Sequence, residues 1–144
     1  MPVAAMAPIL AVPGIDWVSL QVGAAGADIT AGFGIIDRSA GLTDFAQTAA
    51  LIETLDLVVA VDTSTAHLAG AMATPVWVML PFAPDWRWMI GRSDSPWYAS
   101  LRLFRQTEPG DWNGVAHRVA AALADRYRTS ATGGKAATPV LMPA

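Results

Sequence analysis

The segment from Val61 to Ala71 reads VDTSTAHLAGA. Asp62, Thr63, Ser64, Thr65 and His67 crowd the point where an apolar, β-branched run gives way to a helical pattern. A helix N-terminus leaves backbone N–H groups without intrahelical partners, and the helix dipole favours negative charge there. The hydroxyls of Thr63, Ser64 and Thr65 add donors at the same place. His67 follows Thr63 by one helical turn and therefore shares its face. An imidazole so placed can contact a phosphate oxygen and is stabilised as the cation by it. Gly70 and its alanine neighbours permit close approach of the helix to a sheet. Together these residues make a cradle for a diphosphate. Two plainer explanations stay open at this level: Asp62 or Thr63 caps the helix, and His67 is a core residue with its polar atoms satisfied.

Other chemistries fit less well. Asp62, Ser64 and His67 are the residue types of a hydrolytic triad, but all three fall on one tight turn, and a triad needs a hydrogen-bonded chain in space. No G-x-S-x-G elbow occurs. The chain has two histidines and no cysteine, and His117 has no carboxylate at zincin spacing, so no metal site is expected. A second cluster is Asp85-Trp86-Arg87-Trp88. There Arg87 can pair with a phosphate and an indole can stack on a base or sugar, although a loop pinned by buried indoles explains the same residues. Gln21 ends a strand-like run and is a candidate for a base or ribose contact. Asp37 and Asp44 are candidates for a ribose hydroxyl, although helix capping accounts for Thr43-Asp44 without a ligand.

These residues need elements to position them. Residues 1–12 are apolar and read as the end of a helix, closed by Pro13-Gly14. Residues 15–22 and 34–37 read as short strands, separated by a Gly/Ala-rich loop over 23–34. Thr43 is the expected N-cap of a helix over 44–55 with Phe45, Ala49, Ile52 and Leu55 as its buried stripe. DLVVAV (56–61) and PVWVML (75–80) are short and apolar on both faces, as central parallel strands are. A helix over 64–73 lies between them. Residues 81–99 read as a structured loop, 101–104 as a strand, and Asp111 as the cap of a last helix with Trp112, Val115, Val119, Leu123 and Tyr127 on one side. The alternation implies an α/β layer on a parallel sheet. In such sheets ligands bind beyond the carboxyl ends of the strands, the edge that carries the loops after Leu20, Asp37, Val61 and Leu80. Residues 1–128 are expected to form one domain, and 129–144 a disordered tail.

The chain has 144 residues, 53% hydrophobic and 15% charged, with a net charge of −3. That is enough apolar material for a core, and it offers no electrostatic reason to expect nucleic acid or an anionic membrane as partner. Cysteine-based chemistry is excluded, and a cytoplasmic location is expected. The longest apolar stretch, 57–83, is interrupted by Asp62, His67 and several hydroxyls, so no membrane span is expected.

VSLQ (18–21), LTDFAQTAALI (42–52), DLVVAVDTSTAHLAGA (56–71) and PVWVMLP (75–81) together resemble the C-terminal half of glycosyltransferase family 9, the heptosyltransferase-like group. PDWRW (84–88), SPWY (95–98) and RLFRQ (102–106) are similar to the bacterial branch in which this domain follows tetratricopeptide repeats. The resemblance implies a Rossmann-like domain, the C-terminal half of a GT-B fold, that binds a nucleotide-sugar donor as substrate and needs no cofactor. It implies inverting, metal-independent transfer to a glycan or protein acceptor. It places Asp62 near the donor sugar or its phosphates and Thr63, Ser64 and the helix N-terminus on the diphosphate, with His67 in support. It also implies a preceding acceptor domain and a first strand ahead of residues 1–12, so that the chain reads as a fragment with weak or no transferase activity alone. Ala73-Thr74 departs from the family, where a glycine and a polar residue are common, and Ala99 stands where a proline is common. The competing expectation is a non-catalytic scaffold module, with the tryptophan-rich loop 85–97 as a protein-contact surface.

Overall fold

The computed structural model describes residues 1–22, 34–128 and 139–142. Its centre is a six-stranded sheet made of β1 (Val18–Ser19), β2 (Ile36–Asp37), β3 (Leu57–Val61), β4 (Val76–Leu80), β5 (Leu101–Arg105) and β6 (Pro139–Met142). The strand order is β2-β1-β6-β3-β4-β5, and every pairing is parallel. The helices are α1 (Ala7–Leu10), preceded by a 3-10 turn at Val3–Met6, α2 (Phe45–Ile52), α3 (Ser64–Ala71) and α4 (Trp112–Arg128). This is the Rossmann-like α/β architecture that the alternation of patterns predicts. No helix among the described residues is long and apolar enough to cross a membrane.

The apolar runs of β3 and β4 are buried at every position because both sheet faces are covered. Alternate residues go to opposite faces. Leu57, Val59 and Val61 pack with Trp77 and Met79 against Met6, Ile9 and Leu10 and against Val115, Val119 and Leu123 of α4. Val58 and Ala60 pack with Val76, Val78 and Leu80 against Ile52 of α2 and Ala66 and Ala69 of α3. Each fully buried Val, Ile or Leu contributes about 1.5–3 kcal/mol of transfer free energy, so this double layer is what holds the strand ends in place.

Three details depart from the sequence reading. The N-cap of α2 is Asp44, one residue later than Thr43, because its carboxylate accepts from the Gln47 N–H at 2.8 Å. Phe45, expected in the buried stripe, is 63% exposed. It precedes the turn of α2 that reaches the sheet, where Ile52 and Leu55 are buried. The third departure is the tail. Residues 129–144 were expected to be disordered, yet Pro139–Met142 form β6, between β1 and β3. Backbone pairing decides this: without β6, the facing edges of β1 and β3 would have no strand partner on that side. The expected loop over 23–33 and the tail residues 129–138 and 143–144 lie outside the described residues.

Candidate functional site

Because all strands are parallel, the residues after Val61, Leu80 and Arg105 emerge at one edge. The chain runs outward from β3 through β4 to β5, and from β1 to β2 on the other side, so the direction of winding reverses around β6 and β3. Such a reversal opens a crevice at the carboxyl ends of the strands. Asp62 is the first residue past β3, and α3 begins two residues later.

The N-terminus of α3 is open. Thr63 holds the N-cap position with extended backbone, but no side chain caps the helix. Its hydroxyl turns back to the Val61 carbonyl at 3.4 Å. The first intrahelical bonds come from the N–H groups of Ala66 and His67 to the Thr63 carbonyl, at 3.1 and 3.4 Å. Those of Ser64 and Thr65 lie ahead of them. Two other helices behave differently: Asp44 caps α2, and Asp111 caps α4 by accepting from the Gly114 N–H at 2.7 Å. Capping thus explains Asp44 and Asp111 but not the polar residues at α3. Ser64 is exposed, whereas Thr65 is 7% exposed, so Thr65 can offer its main-chain N–H more readily than its hydroxyl.

His67 stands over this end of the helix. Its Nε2 is 3.6 Å from Asp62 Oδ1, and both side chains are about one-third exposed, at 34% and 32%. Its Nδ1 lies 3.1 Å from the Tyr98 hydroxyl. Its ring stacks on Trp88, with centroids 5.1 Å apart and planes 20° apart. His67 is therefore a half-exposed group oriented on three sides, rather than a core histidine.

Trp88 and Tyr98 arrive from the long loop after β4. Trp88 ends a 3-10 turn, Trp86–Trp88, and is 1% exposed. Arg105, the last residue of β5, anchors that turn by donating from Nη2 to the Trp88 carbonyl at 3.0 Å. Gln106 ties the same loop down, its side-chain carbonyl accepting from the N–H groups of Phe82 and Gly110 at 3.1 Å each. Asp85 accepts from the Arg87 N–H at 3.0 Å and from Arg87 Nη1 at 2.8 Å. The Arg87 backbone N–H, then its side chain, then His67 hold the Asp85 carboxyl below the usual carboxylate range, against a smaller opposing effect of burial. Arg87, a predicted phosphate or donor contact, is thus brought to the His67 neighbourhood but is already paired with Asp85 and stacked on Trp86 at 4.9 Å.

The other predicted contacts are scattered. Gln21 follows β1, and its Oε1 is buried without a hydrogen-bond partner. Asp37 ends β2, where it accepts from the Ser39 N–H at 2.8 Å, a bond that lowers its pKa. Three strand spacings, roughly 14 Å, separate β2 from β3, so Asp37 does not meet the Asp62 cluster directly. Among the described residues no group of three or more His, Cys, Asp or Glu is placed to hold a metal ion. The reading of single positions misses Arg105 and Gln106, and it leaves Tyr98, beside Trp97, without a decided role. Their motifs, SPWY and RLFRQ, are visible in the sequence, but their contacts are long-range and leave no periodic signature.

Residues 28–79 match the sequence model of Glycosyltransferase family 9 (heptosyltransferase). The match spans β2, α2, β3 and α3, and with them Asp62 through His67. This stretch belongs to glycosyltransferase family 9. The chain is also 37% identical over 128 residues to Protein FlbA of Caulobacter vibrioides, an alignment that covers 82% of the chain and 21% of that protein. It therefore spans about a fifth of the length of the curated relative it matches. No solved structure matches. Within the family 9 stretch, the open helix end and His67 are the groups able to meet an anion. Trp88 and Tyr98 lie beyond it and reach back to His67.

Proposed function

We propose that the chain is the nucleotide-sugar donor domain of an inverting, metal-independent glycosyltransferase, the C-terminal half of a GT-B fold. The observation that supports this most is the uncapped N-terminus of α3, set at the reversal of strand order, with His67 held over it inside a family 9 stretch. The donor's diphosphate lies on the N–H groups of Ser64 and Thr65 and on the hydroxyls of Thr63 and Ser64. There the helix dipole and the His67 ring N–H stabilise the negative charge that grows on the leaving group. Asp62 orients His67 and faces the sugar side. Gln21, with its unpartnered carbonyl oxygen, is the candidate for a base or ribose donor. Transfer also requires an acceptor nucleophile and its base. We assign those to a second domain facing this edge, in a cytoplasmic protein of the branch that carries tetratricopeptide repeats.

Calorimetry with ADP-, UDP-, GDP- and CMP-sugars on the folded chain tests this reading. One donor class binds, and Thr63→Ala and His67→Gln weaken it, each by about tenfold or more, the scale of hydrogen bonds to a charged group. No binding, or binding indifferent to both substitutions, sinks it. In that case a second reading gains support, a contact module using the exposed apolar loop. Phe82, Trp86, Met89, Ile90 and Trp97 are 52%, 69%, 40%, 93% and 55% exposed, and that much apolar surface along one loop marks an interaction face.

A further inference from the structure

We propose that Tyr98 is the positioning residue for His67: by bonding Nδ1 it fixes the ring's direction, so that Nε2 faces Asp62 beside the start of α3. Asp62 offers only acceptor oxygens, and a carboxylate 3.6 Å from Nε2 repels a lone pair and attracts a proton there. Nδ1 must then carry the lone pair, and the group beside it, 3.1 Å away, is a hydroxyl that can donate. Asp62 therefore selects the tautomer, and the Tyr98 hydroxyl, donating to the bare Nδ1, holds the ring's direction. If His67 takes up a second proton, the Tyr98 hydroxyl rotates and accepts from Nδ1–H, so the ring keeps its place in both states. The charged or titratable groups facing His67 are Asp62 on its own side and Asp85 and Tyr98 from the loop after β4.

The seat for Tyr98 is built into α3. A Cβ on Gly70 would sit 2.7 Å from Tyr98 Cγ and 3.0 Å from both Cδ atoms. Only a residue without a side chain lets the ring lie against this turn of the helix. The Tyr98 carbonyl accepts from the Leu101 N–H at 3.2 Å, which ties the residue to the start of β5. The ring also meets His67 edge-on, with centroids 5.8 Å apart, while Trp88 stacks against the imidazole. Gly70 thus acts on His67 through Tyr98, a connection that the sequence spacing does not contain.

The chain holds two histidines, so imidazole nitrogen spectra of the 15N-labelled full chain are simple to assign, with His117→Gln identifying the second ring. In the neutral ring of His67, Nε2 should show as protonated and Nδ1 as the bare nitrogen. Tyr98→Phe, which keeps the ring and removes the hydroxyl, should move the His67 Nδ1 signal toward that of a bare nitrogen without a donor and leave His117 unchanged. Gly70→Ala should do the same with the hydroxyl still present, because it displaces Tyr98. A native His67 protonated at Nδ1, or His67 signals indifferent to Tyr98→Phe in a folded chain, overturns the proposal. The bearing of Tyr98 on ligand binding rests on the donor-site reading, and calorimetry with a nucleoside diphosphate separates the two. Tyr98→Phe should weaken binding roughly two- to tenfold, the range of one hydrogen bond, and add nothing in a His67→Gln background. Additive losses overturn the positioning role by showing direct ligand contact. The expected spectra without nucleotide binding defeat the donor-site reading alone.

Discussion

At the scale of single residues, the polar groups near the strand ends divide by what already satisfies them. Asp44 and Thr63 both stand at helix starts, but only the Asp44 side chain is spent on its helix. Asp44→Ala should therefore cost about 1 kcal/mol of stability, the usual value of an N-cap, and leave nucleotide-sugar affinity unchanged. Chemical denaturation and calorimetry on the same sample check this. A fall in affinity without a fall in stability would return Asp44 to the ligand site. Thr63→Ala should show the opposite pattern, with little stability lost because its hydroxyl makes only a 3.4 Å bond to Val61. The sequence brought Asp62, Thr63, Ser64 and His67 together because they lie within two helical turns. It could not bring in Trp88 and Tyr98, whose contacts with His67 depend on the path of a long loop.

At the scale of elements, α3 has an open start and a strained finish. The Ala73 N–H bonds to the Gly70 carbonyl and the Thr74 N–H to the Ala69 carbonyl, both at 3.1 Å, the paired bonds of a Schellman ending. Ala73 is then forced to φ 58°, the left-handed region. This gives a physical reason for glycine being common at that position in the family that the sequence resembles. Ala73→Gly should relieve that strain and stabilise the chain by about 1 kcal/mol, on the scale of the left-handed penalty, which thermal unfolding can measure. An unchanged or lower Tm would mean the alanine methyl makes contacts that outweigh the strain. The sheet offers a second test. β6 joins β1 to β3, pairing Val140 with Val18 and Val58, and Leu141 with Ser19 and Val59. Leu141→Pro removes a backbone donor from the middle of a central strand, where proline is not tolerated. Hydrogen exchange should show protection lost in β1 and β3 and retained across the β4–β5 pair. Retained protection in β1 and β3 would show that the join between the two halves does not depend on β6.

At the scale of the whole molecule, the helices and strands between residues 36 and 128 were legible because they carry local signals: continuous apolar runs, helical stripes, and a capping residue at Asp111. The family 9 motifs added the donor-site expectation at Asp62 to His67. By itself, then, the sequence determined an α/β chain with a cluster of polar residues at the start of one helix. Tertiary structure alone decided that Pro139–Met142 sit at the centre of the sheet, that Thr65 is buried while His67 stays half exposed, and that Tyr98 and Trp88 orient the imidazole. The physical reason is range. Propensity, capping and periodicity act over a few residues, whereas strand order, burial and ring contacts are set by which surfaces meet once the whole chain is packed.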